Sequence, residues 1–234
     1  RVFTPELVRT LCDRRFGVGG DGVLLMLPAR TDDAAGRMKV LNADGSIPEM
    51  CGNGLRCAAL HLLRGRSGTV RVDTDDGVKS CTVDSATSSV TIDMWRVSWL
   101  DDISLEVEGV SLPLALATAG NPHAITFVPH SRADIERVGP AVATHSRFPK
   151  GTNVEFAVLR DSGRDVDLVV WERGVGLTLA CGTGACATVA TLVAKGRVPE
   201  GECIHVHLPG GVLDVTMRKD HAIMTGPAHL VYRG

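Results

Sequence analysis

The sequence lacks the features that mark membrane, nucleic-acid-binding and secreted proteins. Its 234 residues carry 25 Lys and Arg against 27 Asp and Glu, and no basic cluster exceeds a few residues, so neither nucleic acid nor an anionic membrane is expected as a partner. No apolar run reaches the roughly 18 residues of a membrane span. Aromatic residues make up only 4%, which leaves few rings on which nucleic-acid bases could stack.

The cysteines do not form a secreted disulfide framework. Their number, seven, is odd, and no two are spaced as Cys-x-x-Cys, so a reducing cytoplasm is the expected location. The first residues do not resemble a signal peptide. Because the chain opens with Arg1 in the middle of a pattern, we expect a further N-terminal segment to precede it.

The most informative pattern occurs twice. Cys51 precedes Gly52-Asn53-Gly54 and an apolar run, and Cys181 precedes Gly182-Thr183-Gly184 and another. Each run predicts a helix, and a strand, a glycine turn and two strands follow both copies in the same order. The repeat predicts two similar halves. Their expected bounds are 1–112, with the C-terminal strand of about 227–234 packing back onto this half, and 113–226.

A cysteine at a helix start is suited to proton transfer. The free N–H groups and the helix dipole lower the pKa of such a thiol and also form a seat for an anion. With two such thiols, one can take a proton from carbon while the other gives one to the opposite face. The pattern therefore predicts inversion at an amino-acid α-carbon, with no metal and no pyridoxal or other cofactor.

Other readings of the cysteines remain open. The segment from Gly182 also fits a Gly-x-Gly-x-x-Ala nucleotide fingerprint, which would make the chain a non-catalytic nucleotide- or anion-binding protein, although the acid about twenty residues on is lacking. Two facing thiols could also join in a redox-controlled disulfide. Zinc is a poor fit, because the spacings place ligands along a helix. Five cysteines are expected to be small buried apolar side chains: Cys12, Cys57, Cys81, Cys186 and Cys203.

Three further side chains could assist the thiols. His123, after a Gly-Asn-Pro turn, could take a thiol proton, and Glu172, just before the second cysteine loop, could do the same. Arg173 could bind a substrate carboxylate through two hydrogen bonds. The ordinary alternatives are a structural histidine, a surface carboxylate and a salt bridge. Other polar residues are expected to be turn formers (Asn42, Asn121 and Asn153) or exposed strand residues (His205 and His207).

Two helices outside the repeat are expected. Thr4 as N-cap and Pro5 in the first turn predict a helix that reaches Cys12. The segment from Ser131 to Val138 also has a helical pattern, whereas the stretch 101–110 has no clear one.

These motifs together resemble the diaminopimelate epimerase family, which belongs to the cofactor-independent, two-cysteine amino-acid racemases. The matching segments span nearly the whole chain in the family's order: Asn42-Ala43-Asp44-Gly45-Ser46, Glu49-Met50-Cys51-Gly52-Asn53-Gly54, Asn121-Pro122-His123, Asn153-Val154-Glu155, Glu172-Arg173-Gly174-x-Gly176 and Ala180-Cys181-Gly182-Thr183-Gly184-Ala185-Cys186-Ala187. Asn53 stands where the proline racemase branch carries histidine, which argues against that branch.

The resemblance implies an α/β (α+β type) fold of two pseudo-symmetric domains, each a curved mixed β-sheet wrapped around a central helix, with the active site in the cleft between them. It implies an isomerase that converts LL-diaminopimelate to the meso form, in lysine and peptidoglycan precursor biosynthesis, as a cytoplasmic homodimer. A racemase of another amino acid with the same chemistry is the alternative.

The resemblance also implies roles for individual residues. Cys51 and Cys181 would be the acid/base pair, with His123 and Glu172 assisting. The reacting end of the substrate would be held by Gly52, Asn53, Gly182 and Thr183. The distant amino-acid end would be held by Asn42, Asn121, Asn153, Glu172 and Arg173.

Overall fold

A computed structural model describes residues 3–48 and 51–233. The helices are α1 (Pro5–Cys12), α2 (Gly52–Leu62), α3 (Arg132–Ala143) and α4 (Gly182–Ala194). The strands are β1 (Gly22–Leu27), β2 (Gly36–Asn42), β3 (Gly68–Thr74), β4 (Gly77–Asp84), β5 (Ser89–Arg96), β6 (Ser98–Val107), β7 (Val110–Thr118), β8 (Pro122–Thr126), β9 (Asn153–Leu159), β10 (Asp165–Glu172), β11 (Gly176–Leu177), β12 (Cys203–Leu208), β13 (Gly211–Arg218) and β14 (His221–Pro227).

The chain groups into two compact units. The first comprises Arg1–Ile92 and Pro227–Gly234, and the second comprises Asp93–Gly226. The first unit therefore ends at Ile92, earlier in the chain than the predicted boundary at residue 112. Residue 112 lies inside β7. The reason is strand pairing, since β6 runs antiparallel to β7 over almost its whole length and β7 pairs in turn with β8. The two-half division at residue 112 remains a proposal.

The first unit is a mixed sheet with two helices. Its strands lie in the order β1-β2-β3-β4-β5, and β2 pairs with β3 in parallel while the other neighbours are antiparallel. Helix α1 starts as predicted, because the Thr4 hydroxyl accepts the Leu7 N–H and proline occupies the first turn. Helix α2 contacts β1, β2, β3 and β4 and buries Leu55, Ala58 and Ala59, so the sheet curves around it.

The second unit places a helix that is buried over most of its length against a larger mixed sheet. The strand order is β14-β13-β12-β10-β9-β8-β7-β6, with β11 beside β10. Helix α4 contacts β6, β7, β8, β9 and β13, and every residue from Gly182 to Leu192 is buried. Such a helix must be apolar on all sides. Two of its three buried threonines, Thr188 and Thr191, donate to the carbonyls of Gly184 and Ala187 at 2.8 Å, so their hydroxyls are satisfied within the helix.

The repeated element order is confirmed. Helix α2 is followed by β3, β4 and β5, and α4 by β12, β13 and β14. Each unit is a curved mixed sheet around a central helix, which confirms the predicted fold class. No helix in the described ranges has both the length and the apolar character to cross a membrane.

Two segments differ from expectation. Helix α3 was predicted over 131–138 but continues past Pro140 to Ala143, because Val138, Val142 and Ala143 pack into one apolar cluster with β9. The poorly readable stretch 101–110 belongs largely to strand β6. Its charged residues obscure the alternation of buried and exposed positions along β6. This alternation directs the side chains of Leu105 and Val107 into the same apolar cluster as α3 and β9.

An ion pair in the first unit generates a pH prediction. The buried Asp73 accepts hydrogen bonds from the backbone N–H (3.0 Å), Nε (2.9 Å) and Nη2 (2.7 Å) of Arg30. These bonds lower the pKa of Asp73 to about 2. A depressed folded pKa stabilises the fold above the unfolded value near 4, and that stabilisation is lost as the pH falls through about 2.

We therefore expect Asp73→Asn to lower the free energy of unfolding by about 1–3 kcal/mol at pH 7, measured by urea denaturation. The difference from the parent protein should shrink progressively between about pH 4 and pH 2. Asp33→Asn is the matched control, because Asp33 pairs with Arg71 where both side chains are about half exposed, and its effect should stay within about 1 kcal/mol. A loss for Asp73→Asn that does not depend on pH would contradict the ion-pair explanation.

Candidate active site

Both central helices begin at a cysteine in nearly the same conformation. Cys51 precedes α2 with φ −142° and ψ 99°, and Cys181 precedes α4 with φ −129° and ψ 105°. Each sulfur accepts the N–H of the residue three positions later, Gly54 at 3.2 Å and Gly184 at 3.4 Å. The sulfur thus occupies the position that an Asp or Ser oxygen takes in an ordinary helix cap. The predicted placement of both thiols at helix starts is confirmed.

The second glycine of each loop permits a close approach that a side chain would block. A Cβ on Gly54 would stand 2.8 Å from Leu24 Cδ2, and one on Gly184 would stand 2.7 Å from Glu155 Oε1. Each would also lie 3.3 Å from the neighbouring cysteine sulfur. The two loops therefore share a backbone but differ in what faces them, an apolar side chain in the first unit and a carboxylate in the second.

A chain of polar contacts connects Cys181 to the strands beneath it. Its sulfur lies 3.5 Å from the Thr183 hydroxyl, which in turn accepts from Asn121 Nδ2 at 3.5 Å. Asn121 Oδ1 lies 2.8 Å from His123 Nε2, and His123 Nδ1 lies 2.6 Å from Glu155 Oε1. Parallel pairing of β8 with β9 produces this proximity. The second unit thus brings Cys181, Thr183, Asn121 and His123 together.

The electrostatic environment of Cys181 differs from the sequence prediction. Burial raises the pKa of its thiol well above the usual value, and the charges of Glu172 and Glu155 raise it further. Hydrogen bonds from Thr183 and the Gly184 N–H act in the opposite direction but are weaker. The prediction of a lowered pKa is therefore wrong for Cys181, because desolvation and like charge outweigh the helix start.

Glu172 is part of this cluster and is not a surface carboxylate. Its Oε1 accepts from the Thr178 hydroxyl at 2.6 Å. Burial raises the pKa of Glu172, and the hydrogen bond from Thr178 only partly opposes that rise. The pKa values of the thiol and of this carboxylate are therefore both shifted toward the protonated form.

The remaining predicted residues of the second unit stabilise loops near the network. Asn153 donates to the Pro122 carbonyl at 3.0 Å and accepts the Arg173 backbone N–H at 2.9 Å. The Arg173 guanidinium donates to the Lys150 carbonyl at 3.2 Å. Gly182 is the first, buried residue of α4.

In the first unit, the predicted asparagines take part in local contacts. Asn42 Nδ2 donates to the Ser46 hydroxyl at 3.0 Å within its turn. Asn53 Oδ1 accepts from Arg56 at 3.0 Å, and Gly52 is the buried first residue of α2. The motif residues Glu49 and Met50 lie outside the described residues.

The other cysteines do not share one environment. Cys12, Cys81 and Cys186 are buried as predicted, whereas Cys57 and Cys203 are exposed. The prediction of burial is wrong for these two, because Cys57 lies on the outer side of α2 and Cys203 on the outward face of β12. His205 and His207 share that outward face but are only half exposed, and they contact Asp214 and Asp165 at 2.7 Å.

Glu155 is the residue of this cluster to which the sequence prediction gave no role. It is 0% exposed and contacts both His123 and the start of α4. The available signal was its position in the apolar run Val154-Glu155-Phe156-Ala157-Val158. A charge in a strand that is buried on both faces requires a partner.

Comparisons with known proteins agree with one another. A family model described as diaminopimelate epimerase matches residues 1–100 and 115–231. The chain is similar to the diaminopimelate epimerase of Desulfitobacterium hafniense, at 42% identity over 98% of this chain and 87% of that protein. It is also similar to that of Gloeothece citriformis, at 39% identity over 100% and 89%. A solved structure described as a probable proline racemase from Agrobacterium radiobacter shares the fold, with a TM-score of 0.76 and 20% identity over 94% of this chain and 76% of that one.

The environment of Glu172 predicts a stability effect. Because the folded pKa of Glu172 is raised, its ionised form costs stability at neutral pH, and this cost is absent below the unfolded pKa of about 4. Glu172→Gln should therefore raise the melting temperature at pH 7, with a gain that disappears toward about pH 4. Calorimetry at several pH values measures this.

The matched control is Glu136→Gln, which removes an exposed carboxylate paired with Arg132 on α3. It should change the free energy of unfolding by no more than about 0.5 kcal/mol. A lower melting temperature for Glu172→Gln at neutral pH would show that its charge is not unfavourable in the folded state.

Proposed function

The chain belongs to the diaminopimelate epimerase family, and from this premise we propose that it interconverts LL- and meso-diaminopimelate through Cys51 and Cys181. Because the members of this family are isomerases, the protein is an isomerase. The observation that carries the mechanism is the duplicated helix start, with a cysteine sulfur capping α2 in one unit and α4 in the other. A two-base inversion needs one acid/base group for each face of the α-carbon, and each unit supplies one.

In the reaction, a thiolate takes the α-proton, so that the C–H bond breaks and an S–H bond forms. The opposite thiol then gives its proton to the other face of the carbanion, so that its S–H bond breaks and a new C–H bond forms. The carbanion is stabilised by the adjacent carboxylate of the substrate, which requires hydrogen-bond donors in place before the reaction. The first N–H groups of α2 and α4, at Gly52, Asn53, Gly182 and Thr183, are the proposed donors.

The surroundings of Cys181 favour its thiol as the proton donor in the resting enzyme, because burial and two carboxylates raise its pKa. Cys51 is then the base of the first transfer. Once Cys181 has given up its proton, its thiolate faces Glu172, whose own pKa is raised by burial. Cys51 then releases the α-proton to solvent, while Glu172 takes up a proton from solvent and passes it to the Cys181 sulfur, and His123 assists through Asn121 and Thr183.

The distant amino-acid end of the substrate is assigned to Asn42, Asn121, Asn153, Glu172 and Arg173. Asn121 contacts Thr183 and His123, which places it beside the residues proposed for the reacting end. Its assignment to the distant end stays a prediction. Arg173 carries the positive charge suited to a second carboxylate.

The wider context follows the family. We propose a cytoplasmic homodimer without cofactor that supplies meso-diaminopimelate for lysine and peptidoglycan precursors. The odd number of cysteines and the exposed thiols of Cys57 and Cys203 support a reducing compartment. Sedimentation equilibrium should give twice the 24.8 kDa of one chain, and a monomer at micromolar concentration would contradict the dimer.

The central experiment is solvent exchange. In D₂O, the protein should introduce deuterium at the α-carbon of LL-diaminopimelate and isomerise it without added cofactor, as measured by NMR and chiral chromatography. Cys51→Ala and Cys181→Ala should each lower isomerisation by at least about 10³-fold, because each removes the only acid/base group for one face. Full turnover by either variant would eliminate the two-base mechanism.

Two comparisons make the test specific. Cys57→Ala and Cys203→Ala are matched controls, because both remove exposed thiols outside the two loops, and both should retain activity. A panel of other amino acids separates an epimerase of diaminopimelate from a racemase of another substrate. Exchange confined to another amino acid would overturn the substrate assignment and leave the chemistry in place.

A further inference from the structure

Glu155 is a fully buried carboxylate that the proposed reaction does not yet use. It lies in β9 between Val154 and Phe156, whose side chains belong to the apolar cluster with α3. Because neighbouring residues of a strand point to opposite faces, the Glu155 side chain points to the other face, toward α4. There it reaches Gly184 at the start of that helix. An ionised carboxylate is costly in such a place unless it is paired.

Only one of the two oxygens of the Glu155 carboxylate has a hydrogen-bond partner among the described residues. Its Oε1 lies 2.6 Å from His123 Nδ1, while among the described residues its Oε2 has no hydrogen-bond partner. The other ring nitrogen of His123 lies 2.8 Å from Asn121 Oδ1. An acceptor oxygen therefore faces each ring nitrogen. These two contacts hold the ring plane in place.

The corresponding position of the first unit holds no charge. Where Gly184 allows Glu155 to approach α4, Gly54 allows Leu24 to approach α2. The backbone of the two cysteine loops is otherwise closely similar. The difference between a leucine and a glutamate at matched positions therefore distinguishes the environments of the two thiols.

We propose that Glu155 is a positioning residue of the isomerase reaction, which holds His123 in a fixed orientation and makes Cys181 the protonated member of the cysteine pair. This proposal rests on the proposed function. Glu155 acts through two contacts, the hydrogen bond to His123 and the approach to α4 that Gly184 permits.

Several groups bear on the protonation of Cys181. Glu172 from β10 and Glu155 from β9 raise the pKa of its thiol, while Thr183 and the Gly184 N–H from α4 lower it. His123 from β8 faces both carboxylates and opposes the rise at Glu172. Of the two carboxylates, Glu172 has the larger effect on the pKa of the thiol. The role left for Glu155 is that of a fixed charge that also orients the histidine.

The test compares Glu155→Gln with Glu155→Asp. The glutamine keeps size and removes the charge, so Cys181 should react with iodoacetamide about tenfold faster at fixed pH, because a larger fraction of it is thiolate. Peptide-resolved mass spectrometry reads this rate without substrate. The same variant should lower kcat by about tenfold or more, with KM within about twofold, because the side chain does not hold substrate.

The aspartate keeps the charge but is one methylene shorter. It should leave Cys181 as unreactive as in the parent protein and still lower kcat, because its oxygen no longer reaches His123. Glu106→Gln, which removes an exposed carboxylate from β6, is the control and should change neither quantity.

Three results would overturn the proposal. They are a normal kcat for Glu155→Gln, unchanged alkylation of Cys181 in that variant, or equal alkylation of Cys181 in the glutamine and aspartate variants. Loss of activity with unchanged alkylation would indicate a structural role alone. Because alkylation needs no substrate, it still reports on Glu155 if the parent protein fails to exchange diaminopimelate, a failure that would contradict only the proposed function.

Discussion

A cysteine sulfur that caps a helix is the interaction on which the rest of each unit's site depends. The sulfur accepts the N–H of the third helical residue, which fixes the thiol beside the unpaired N–H groups at the helix start. At that third position a Cβ would lie 2.8 Å from Leu24 in the first unit and 2.7 Å from Glu155 in the second, besides 3.3 Å from sulfur in both. The second glycine of each loop is therefore a packing requirement of the facing strand, and the open backbone that it leaves is also what an anionic group needs.

The same cap does not produce the same chemistry, because its effect is small compared with burial. A helix start stabilises a nearby anion by roughly 0.3–2 kcal/mol, whereas full burial can shift a pKa by several units. In the second unit, α4 is buried from Gly182 to Leu192 and the charges of two carboxylates act on the sulfur. In the first unit, α2 is only partly buried and Leu24 occupies the equivalent position. Duplicated backbones can therefore support different protonation states when the facing strands differ.

Interactions between residues that are close in the sequence could be predicted here, and interactions between distant residues could not. The repeat, both cysteine caps and the Thr4 cap are local patterns, and each was predicted from a few adjacent residues. The contact of His123 with Glu155 joins positions 32 apart and depends on the parallel pairing of β8 with β9, which no local pattern encodes. The raised pKa of Cys181 and the exposure of Cys57 were mispredicted for the same reason, because burial is decided by tertiary packing.

The burial of charge in the second unit also explains why its helix differs from that of the first. Glu155, His123 and Glu172 lie near a thiol, and Glu155 leaves one oxygen without a partner among the described residues, so this cluster destabilises the fold unless the surroundings hold it in place. The sequence of α4 provides that support. Its residues from Gly182 to Leu192 are buried, and the hydroxyls of Thr188 and Thr191 bond within the helix. A helix with one exposed face, such as α2, could shift outward and admit water, which would relieve the charges and remove their effect on the thiol. The burial of α4 from Gly182 to Leu192 is therefore a condition for the electrostatics of Cys181, and the two features belong to one arrangement.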